Sequence, residues 1–162
     1  SAGWLGFDDD RRLVERIRER TGIAATTAVL ALNELLALGQ VRRLGFVTPY
    51  TADVQQRIVE NYRALDIDVV AERHLDIAEN HAFAAVAPQR LFELAREVAA
   101  AGPQAITTFC TNLHAAPLAA RMESELGVTL LDTVSTTVWG LLRLAGADPA
   151  AVRGWGTLFA WR

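Results

Sequence analysis

Three polar clusters in this sequence carry residue types able to act on a small molecule. ITTFCTNLH, residues 106–114, holds the single cysteine, Cys110, followed at once by Thr111 and Asn112. VTPYT, residues 47–51, ends in Tyr50 and Thr51, and AENHA, residues 78–82, presents Asn80. A thiol serves as nucleophile or proton donor, while hydroxyls and carboxamides give a carboxylate neutral hydrogen-bond donors. An apolar, strand-like run leads into Cys110 and small polar residues follow. The thiol is thus expected where a strand gives way to a helix, whose terminal N–H groups stabilise a thiolate or a carboxylate.

Each of these residues also has a plainer reading. A lone buried cysteine is commonly a small hydrophobe. Tyr50 after Pro49 can end a turn, and Asn80 can satisfy loop backbone. His114 stands four residues past Cys110, but no second pair at ligand spacing accompanies it, so no metal site is expected. His74 and His81 read as solvated loop residues, the four tryptophans as packing anchors, and the arginine-rich stretch 11–20 as a solvated face. TFCTN lacks the glycines of a nucleophile elbow.

The elements that must position these residues alternate. DDDRRLVERIRER has acids in front and arginines behind, which suits a helix dipole, with Gly22 as its stop. TTAVLALNELLALG reads as a second helix, capped by Thr26 or Thr27 and ended by Gly39, with leucines around most of its circumference. From there strand-like and helical segments alternate, with strands expected near 43–48, 67–72, 104–109 and 128–131. That alternation predicts an α/β fold: a four-stranded parallel sheet with helices on both faces, preceded by two helices. In such sheets ligands bind outside the carboxyl ends of the strands, where all three polar clusters fall.

Composition excludes several classes. A formal net charge of −3 over 162 residues lacks the basic footprint of nucleic-acid binding. No apolar run reaches the ~18 residues of a membrane helix, so no membrane partner is expected. SAGWLGFDDD has neither the basic start nor the apolar core of a signal peptide, and one cysteine makes no internal disulfide; both lead to a cytoplasmic expectation. The second helix is too apolar for a solvated surface. Something outside the chain is therefore expected to cover it.

RRLGFVTPYTADV, DIAENHAF, ITTFCTNL and GVTLLDTVSTTVWGLLRLAG, in this order and spacing, resemble the maleate cis-trans isomerase and arylmalonate decarboxylase branch of the aspartate/glutamate racemase superfamily. The resemblance runs from about Trp4 to Gly146. It implies two similar α/β lobes, an active site between them, a catalytic cysteine position on each, and no cofactor. Cys110 matches the second-lobe cysteine, and Tyr50 and Asn80 match side chains that hold a substrate carboxylate. Thr51 adds a hydroxyl beside them, and Thr111 and Asn112 lie on the matching turn. Ser1, opening SAGW, resembles the serine that closely follows the first-lobe cysteine.

On this basis residues 1–40 are a helical remnant of the first lobe and inter-lobe helix, 41–133 the second lobe, and 134–162 a helix and tail packing back toward the other lobe. The implied activity is isomerisation of a small dicarboxylate. One thiolate adds to the double bond, the central bond rotates, elimination gives the trans isomer, and the other thiol handles a proton. An arylmalonate-type decarboxylase, an amino-acid or hydantoin racemase, and a degenerate ligand-binding module are the alternatives. The expected partners are a small carboxylate substrate and either a second copy of the chain or a separate N-terminal fragment.

Overall fold

The computed structural model of the chain describes residues 2–162; Ser1 lies outside them. The four short apolar segments form strands β1 (Arg43–Thr48), β2 (Asp68–His74), β3 (Ala105–Thr108) and β4 (Thr129–Asp132), all parallel, in the order β2-β1-β3-β4. The α/β class and the four strands agree with the sequence expectation to within two residues at each end. Every residue of β3, and all of β1 after Arg43, is buried. Strands covered on both faces carry continuous apolar runs rather than an alternating pattern, and these do.

Helices α5 (Pro88–Ala99) and α6 (Ala119–Leu126) cover one face, packing Leu91, Leu94, Val98 and Met122 on Val47, Ile106 and Leu130. Pro88 opens α5, where a missing N–H costs nothing. Helices α3 (Ala28–Leu38), α4 (Ala52–Arg63) and α7 (Thr133–Leu144) cover the other, packing Leu32, Leu35, Ile58, Tyr62 and Trp139 around Leu44, Phe46 and Leu131. The C-terminal tail contributes Leu158 and Phe159 to that face. No helix among the described residues is long and apolar enough to cross a membrane.

The structure corrects two expectations. Three helices precede the sheet, not two: α1 (Ala2–Leu5) stands before α2 (Asp8–Thr21) and α3. A single turn holds too few residues to show a helical period, so it left no signal in the sequence. The second correction concerns α3, which the chain itself covers. Val29, Ala31, Leu32, Leu35 and Leu36 are buried among the sheet, α2 and α7, which leaves only Leu38 substantially exposed. The cover comes from α7, roughly a hundred residues downstream, and apolar periodicity in α3 says nothing of its distant partner. Thr27 caps α3 by accepting from the Leu30 N–H at 3.2 Å. Exposed large apolar side chains recur instead along α7, at Val134, Val138, Leu141 and Leu144, with Leu5, Leu13, Ile23 and Trp155 exposed singly elsewhere.

The α3–α7 contact depends on a close approach. A Cβ at Gly140 would stand 2.8 Å from the Ala31 Cβ, so the helices meet where one side chain is absent. Arg143 reinforces the contact, pairing with Glu34 at 3.3 Å while lying over the Trp139 ring at 4.8 Å. In an open helix Gly→Ala stabilises by about 1 kcal/mol. Here Gly140→Ala is expected to destabilise by ~1–3 kcal/mol in urea unfolding, because overpacking outweighs propensity. Ala31→Gly added to it should recover part of the loss; a stabilised Gly140→Ala would show that the helices do not meet this closely.

Candidate active site

The sheet's carboxyl edge is assembled from two strand ends. Pro49 stops the β1 ladder after Thr48, and the chain turns through Tyr50 and Thr51 into α4. Thr48 is itself secured, its hydroxyl donating to Gln55 Oε1 at 2.6 Å. On β3 the Phe109 N–H still pairs with the Val47 carbonyl at 3.0 Å, but the Cys110 N–H turns back to the Thr108 carbonyl at 2.8 Å. Such a three-residue turn is common at strand ends and reverses the side-chain sequence abruptly. Phe109 enters the aromatic core beside Phe46 and Tyr62, while Cys110 goes to the opposite face, 7% exposed.

Tyr50, Thr51, Asn80, Cys110, Thr111 and Asn112 all line one cavity of about 610 Å³. Asn80 opens a 3-10 helix, Asn80–Ala85, after β2, and it is tied to the third cluster. The Asn112 Nδ2 donates to Asn80 Oδ1 at 3.0 Å and to its carbonyl at 3.4 Å. The sequence clusters therefore meet, apart from Ser1, which lies outside the described residues.

Tyr50 is braced between two rings, Trp4 at 5.6 Å and Phe83 at 5.7 Å, both edge to face. Burial raises its hydroxyl pKa far above the ordinary tyrosine value, and the neighbouring Cys110 adds to the effect. Tyr50 thus remains a neutral O–H donor at every physiological pH, beside a thiol with which it interacts. Trp4, Val54, Ile77 and Phe83 form the apolar part of the wall. None of the residues lining this cavity carries a charge, so a carboxylate here would be held by neutral donors.

One expectation about Cys110 fails. No helix starts at the cysteine: residues 111–115 form turns, a short 3-10 helix follows at Ala116–Leu118, and α6 begins only at Ala119. Thr111 and Asn112 are of capping type, but a helix begun there would carry Pro117 in its interior, so the regular helix starts only beyond it. His114 is exposed, and no cluster of metal-ligating side chains occurs among the described residues. Sequence reasoning also missed Trp4 as a cavity wall, having read it as a packing anchor. It missed Asp132, the last residue of β4, and Thr133, the first of α7, which hydrogen-bond Thr108 just ahead of the cysteine. The one available signal was their place in LLDTVS, at the end of the last strand.

Asp132 is fully buried, accepting from the Thr108 hydroxyl at 2.9 Å and from the Val134 and Ser135 N–H groups at 2.9 and 3.0 Å. Burial raises its pKa, and those three hydrogen bonds oppose the shift without cancelling it. The folded chain therefore binds this proton more readily than the unfolded chain. The stability it gives is full below the unfolded value and is lost as pH rises through the folded one. Asp132→Asn lacks this term, so its stability relative to the parent should improve as pH rises above the ordinary carboxylate value of about 4 in urea titrations. A difference that stays constant with pH would refute the shift. Tyr50→Phe removes the donor beside the thiol. It should weaken protection of Cys110 from alkylation by a dicarboxylate about tenfold or more, the cost of one hydrogen bond to a charged group. Undiminished protection would take Tyr50 out of the binding site.

The sequence model of the arylmalonate decarboxylase family matches residues 4–159. The arylmalonate decarboxylase of Bordetella bronchiseptica is 33% identical over 150 residues, which make up 91% of this chain and 62% of that protein. A maleate isomerase of Pseudomonas putida is 24% identical over 160 residues, 96% of this chain and 64% of its own. Among solved structures, a liganded arylmalonate decarboxylase mutant aligns with a TM-score of 0.89 at 27% identity, covering 98% of this chain and 68% of that one. A Nocardia farcinica maleate cis-trans isomerase with a covalently bound succinylcysteine intermediate shares the fold at a TM-score of 0.85 and 22% identity, covering 93% and 63%. The chain thus spans less than two thirds of the length of the two sequence relatives, at 62% and 64%. Both are enzymes, one a decarboxylase and one an isomerase, of the Asp/Glu racemase-like superfamily. The chain belongs to the arylmalonate decarboxylase family.

Proposed function

We propose that this chain carries half of the active site of a cofactor-independent, cysteine-dependent isomerase of small dicarboxylates, of the maleate cis-trans type. The observation that carries the reading is one uncharged cavity that gathers Tyr50, Cys110, Thr111 and the hydrogen-bonded pair Asn80 and Asn112. Several neutral donors around one thiol fit a small carboxylate substrate. Thr51 adds a hydroxyl at the start of α4.

In the mechanism we propose, a nucleophilic thiolate, assigned to the cysteine position of the other lobe, adds to one alkene carbon. The C–S bond forms as the π bond breaks, and the electron pair passes to the other carbon, spread into its carboxylate. The Cys110 S–H gives that carbon its proton, leaving a single bond free to rotate. After rotation the Cys110 thiolate takes the proton back, the C–S bond breaks and the trans isomer leaves. Tyr50, neutral and beside the sulfur, steadies the charge that alternates between thiol and carboxylate.

A decarboxylase reading has its own support in the apolar wall of Trp4, Val54, Ile77 and Phe83 and in the 33% identity to the Bordetella bronchiseptica enzyme. There Cys110 would protonate the enediolate left when carbon dioxide departs, and the same S–H does the same task. Either reaction has the chain working against a further protein surface, the first lobe or a second copy. The exposed row Val134, Val138 and Leu141 on α7 supports that part of the reading.

Because Cys110 is the only cysteine, its alkylation reads the site directly. Maleate and fumarate should slow iodoacetamide labelling of the chain more strongly than phenylmalonate, and proton NMR should show no maleate conversion by the chain alone. Stronger protection by phenylmalonate selects the decarboxylase. Absence of protection by every carboxylate reduces the site to a degenerate module, and full maleate turnover by a monomeric chain refutes the two-lobed reading.

A further inference from the structure

We propose that Thr133 is a positioning residue for Cys110: its hydroxyl, donated to the Thr108 carbonyl, fixes the turn that faces the thiol toward Tyr50. The inference rests on the reading of Cys110 as the reacting group. Its starting point is one carbonyl oxygen with two donors. The Thr108 carbonyl accepts the Cys110 N–H at 2.8 Å and the Thr133 hydroxyl, also at 2.8 Å. A turn closed by a single short-range hydrogen bond is easily opened, because one bond is worth little net and only three residues are held by it. The second donor comes from another element and links that turn to the first residue of α7.

The link is made from both sides. While Thr133 donates to the Thr108 main chain, the Thr108 side chain donates to Asp132 at 2.9 Å. Asp132 in turn receives the Val134 and Ser135 N–H groups, so the start of α7 and the end of β3 are locked in register. Thr133 is not needed as the helix cap, since Asp132 already fills that role. Its hydroxyl is free to reach across to β3. Thr48, Thr108, Asp132 and Thr136 are fully buried and Thr133 is 6% exposed, so water does not compete for these bonds. Thr133 also stands on the wall of a cavity of about 90 Å³ that it shares with Cys110, Tyr50 and Thr111. It is therefore placed against the thiol's own surroundings as well as behind its backbone.

Thr133→Val keeps the shape and removes the donor, whereas Thr133→Ser keeps the donor. Thr136→Val is the control: Thr136 is also buried on the same helix, but its hydroxyl donates to the Thr133 carbonyl rather than to β3. Labelling of Cys110 by iodoacetamide is measured for each at one fixed pH. The expected result is a rise of about fivefold for Thr133→Val, the population change one lost hydrogen bond produces, as the turn opens and the thiol reaches solvent. Thr133→Ser should return to the parent rate and Thr136→Val should not depart from it. An unchanged Thr133→Val rate, or the same rise in Thr136→Val, overturns the proposal. Should Thr133→Val not fold, amide exchange in the parent decides. The Cys110 N–H must exchange as slowly as that of Phe109, and fast exchange at Cys110 alone overturns the proposal equally. Failure of carboxylates to protect Cys110 would refute the isomerase reading while leaving these rate comparisons intact.

Discussion

The parallel pairing of β1 with β3 is the constraint on which the site depends. Leu44 stands opposite Ala105 and Val47 opposite Thr108, and both strands are buried on both faces. A slip of one residue would carry Phe46 and Ile106 to the wrong layers, so the register is fixed by the two cores at once. Two residues beyond the strand ends, at Thr48 and Thr108, stand Tyr50 and Cys110. Their meeting follows from the register together with the two turns that end the strands.

Around that pair the chain uses hydrogen bonds and aromatic edges rather than ion pairs. The salt bridges of the described residues lie at the surface, where each contributes little. The wall of the site is Trp4, Phe83, amides and hydroxyls. An uncharged cavity leaves any anion bound there to neutral hydrogen-bond donors. The electrostatic balance is then set by burial and by the Tyr50 hydroxyl.

Much of this was legible in the sequence, and the limits were physical. Strands written as apolar runs between glycine and proline announced themselves, and VTPYT, AENHA and FCTN marked the edge where they end. The meeting of Tyr50, Asn80 and Cys110 followed from that. What failed were statements about contact between distant segments. TTAVLALNELLALG showed that α3 is buried but not that α7 buries it, because the fit of Gly140 on Ala31 leaves no periodic trace. The turns at 111–115 went unread, since five residues are too few to show by their periodicity whether a helix begins at once. Thr133 left no signal of its bond to β3 in the sequence, because its partner is a backbone carbonyl twenty-five residues earlier.

The sheet order leaves two open edges, and the chain treats them differently. β2 carries Asp68, Glu72, Arg73 and His74, with Arg73 further engaged by Glu97 at 2.6 Å. Bringing a second strand alongside would desolvate those charges, which blunts the edge against intermolecular pairing. β4 carries few charges and is covered instead by the C-terminal tail. Glu123 accepts from the Thr157 N–H at 2.8 Å and from its hydroxyl at 3.0 Å, and Trp161 lies on Gly39. The last dozen residues therefore shield that edge. Trimming them would expose a short, apolar strand edge and open a route to aggregation without touching a single residue of the cavity.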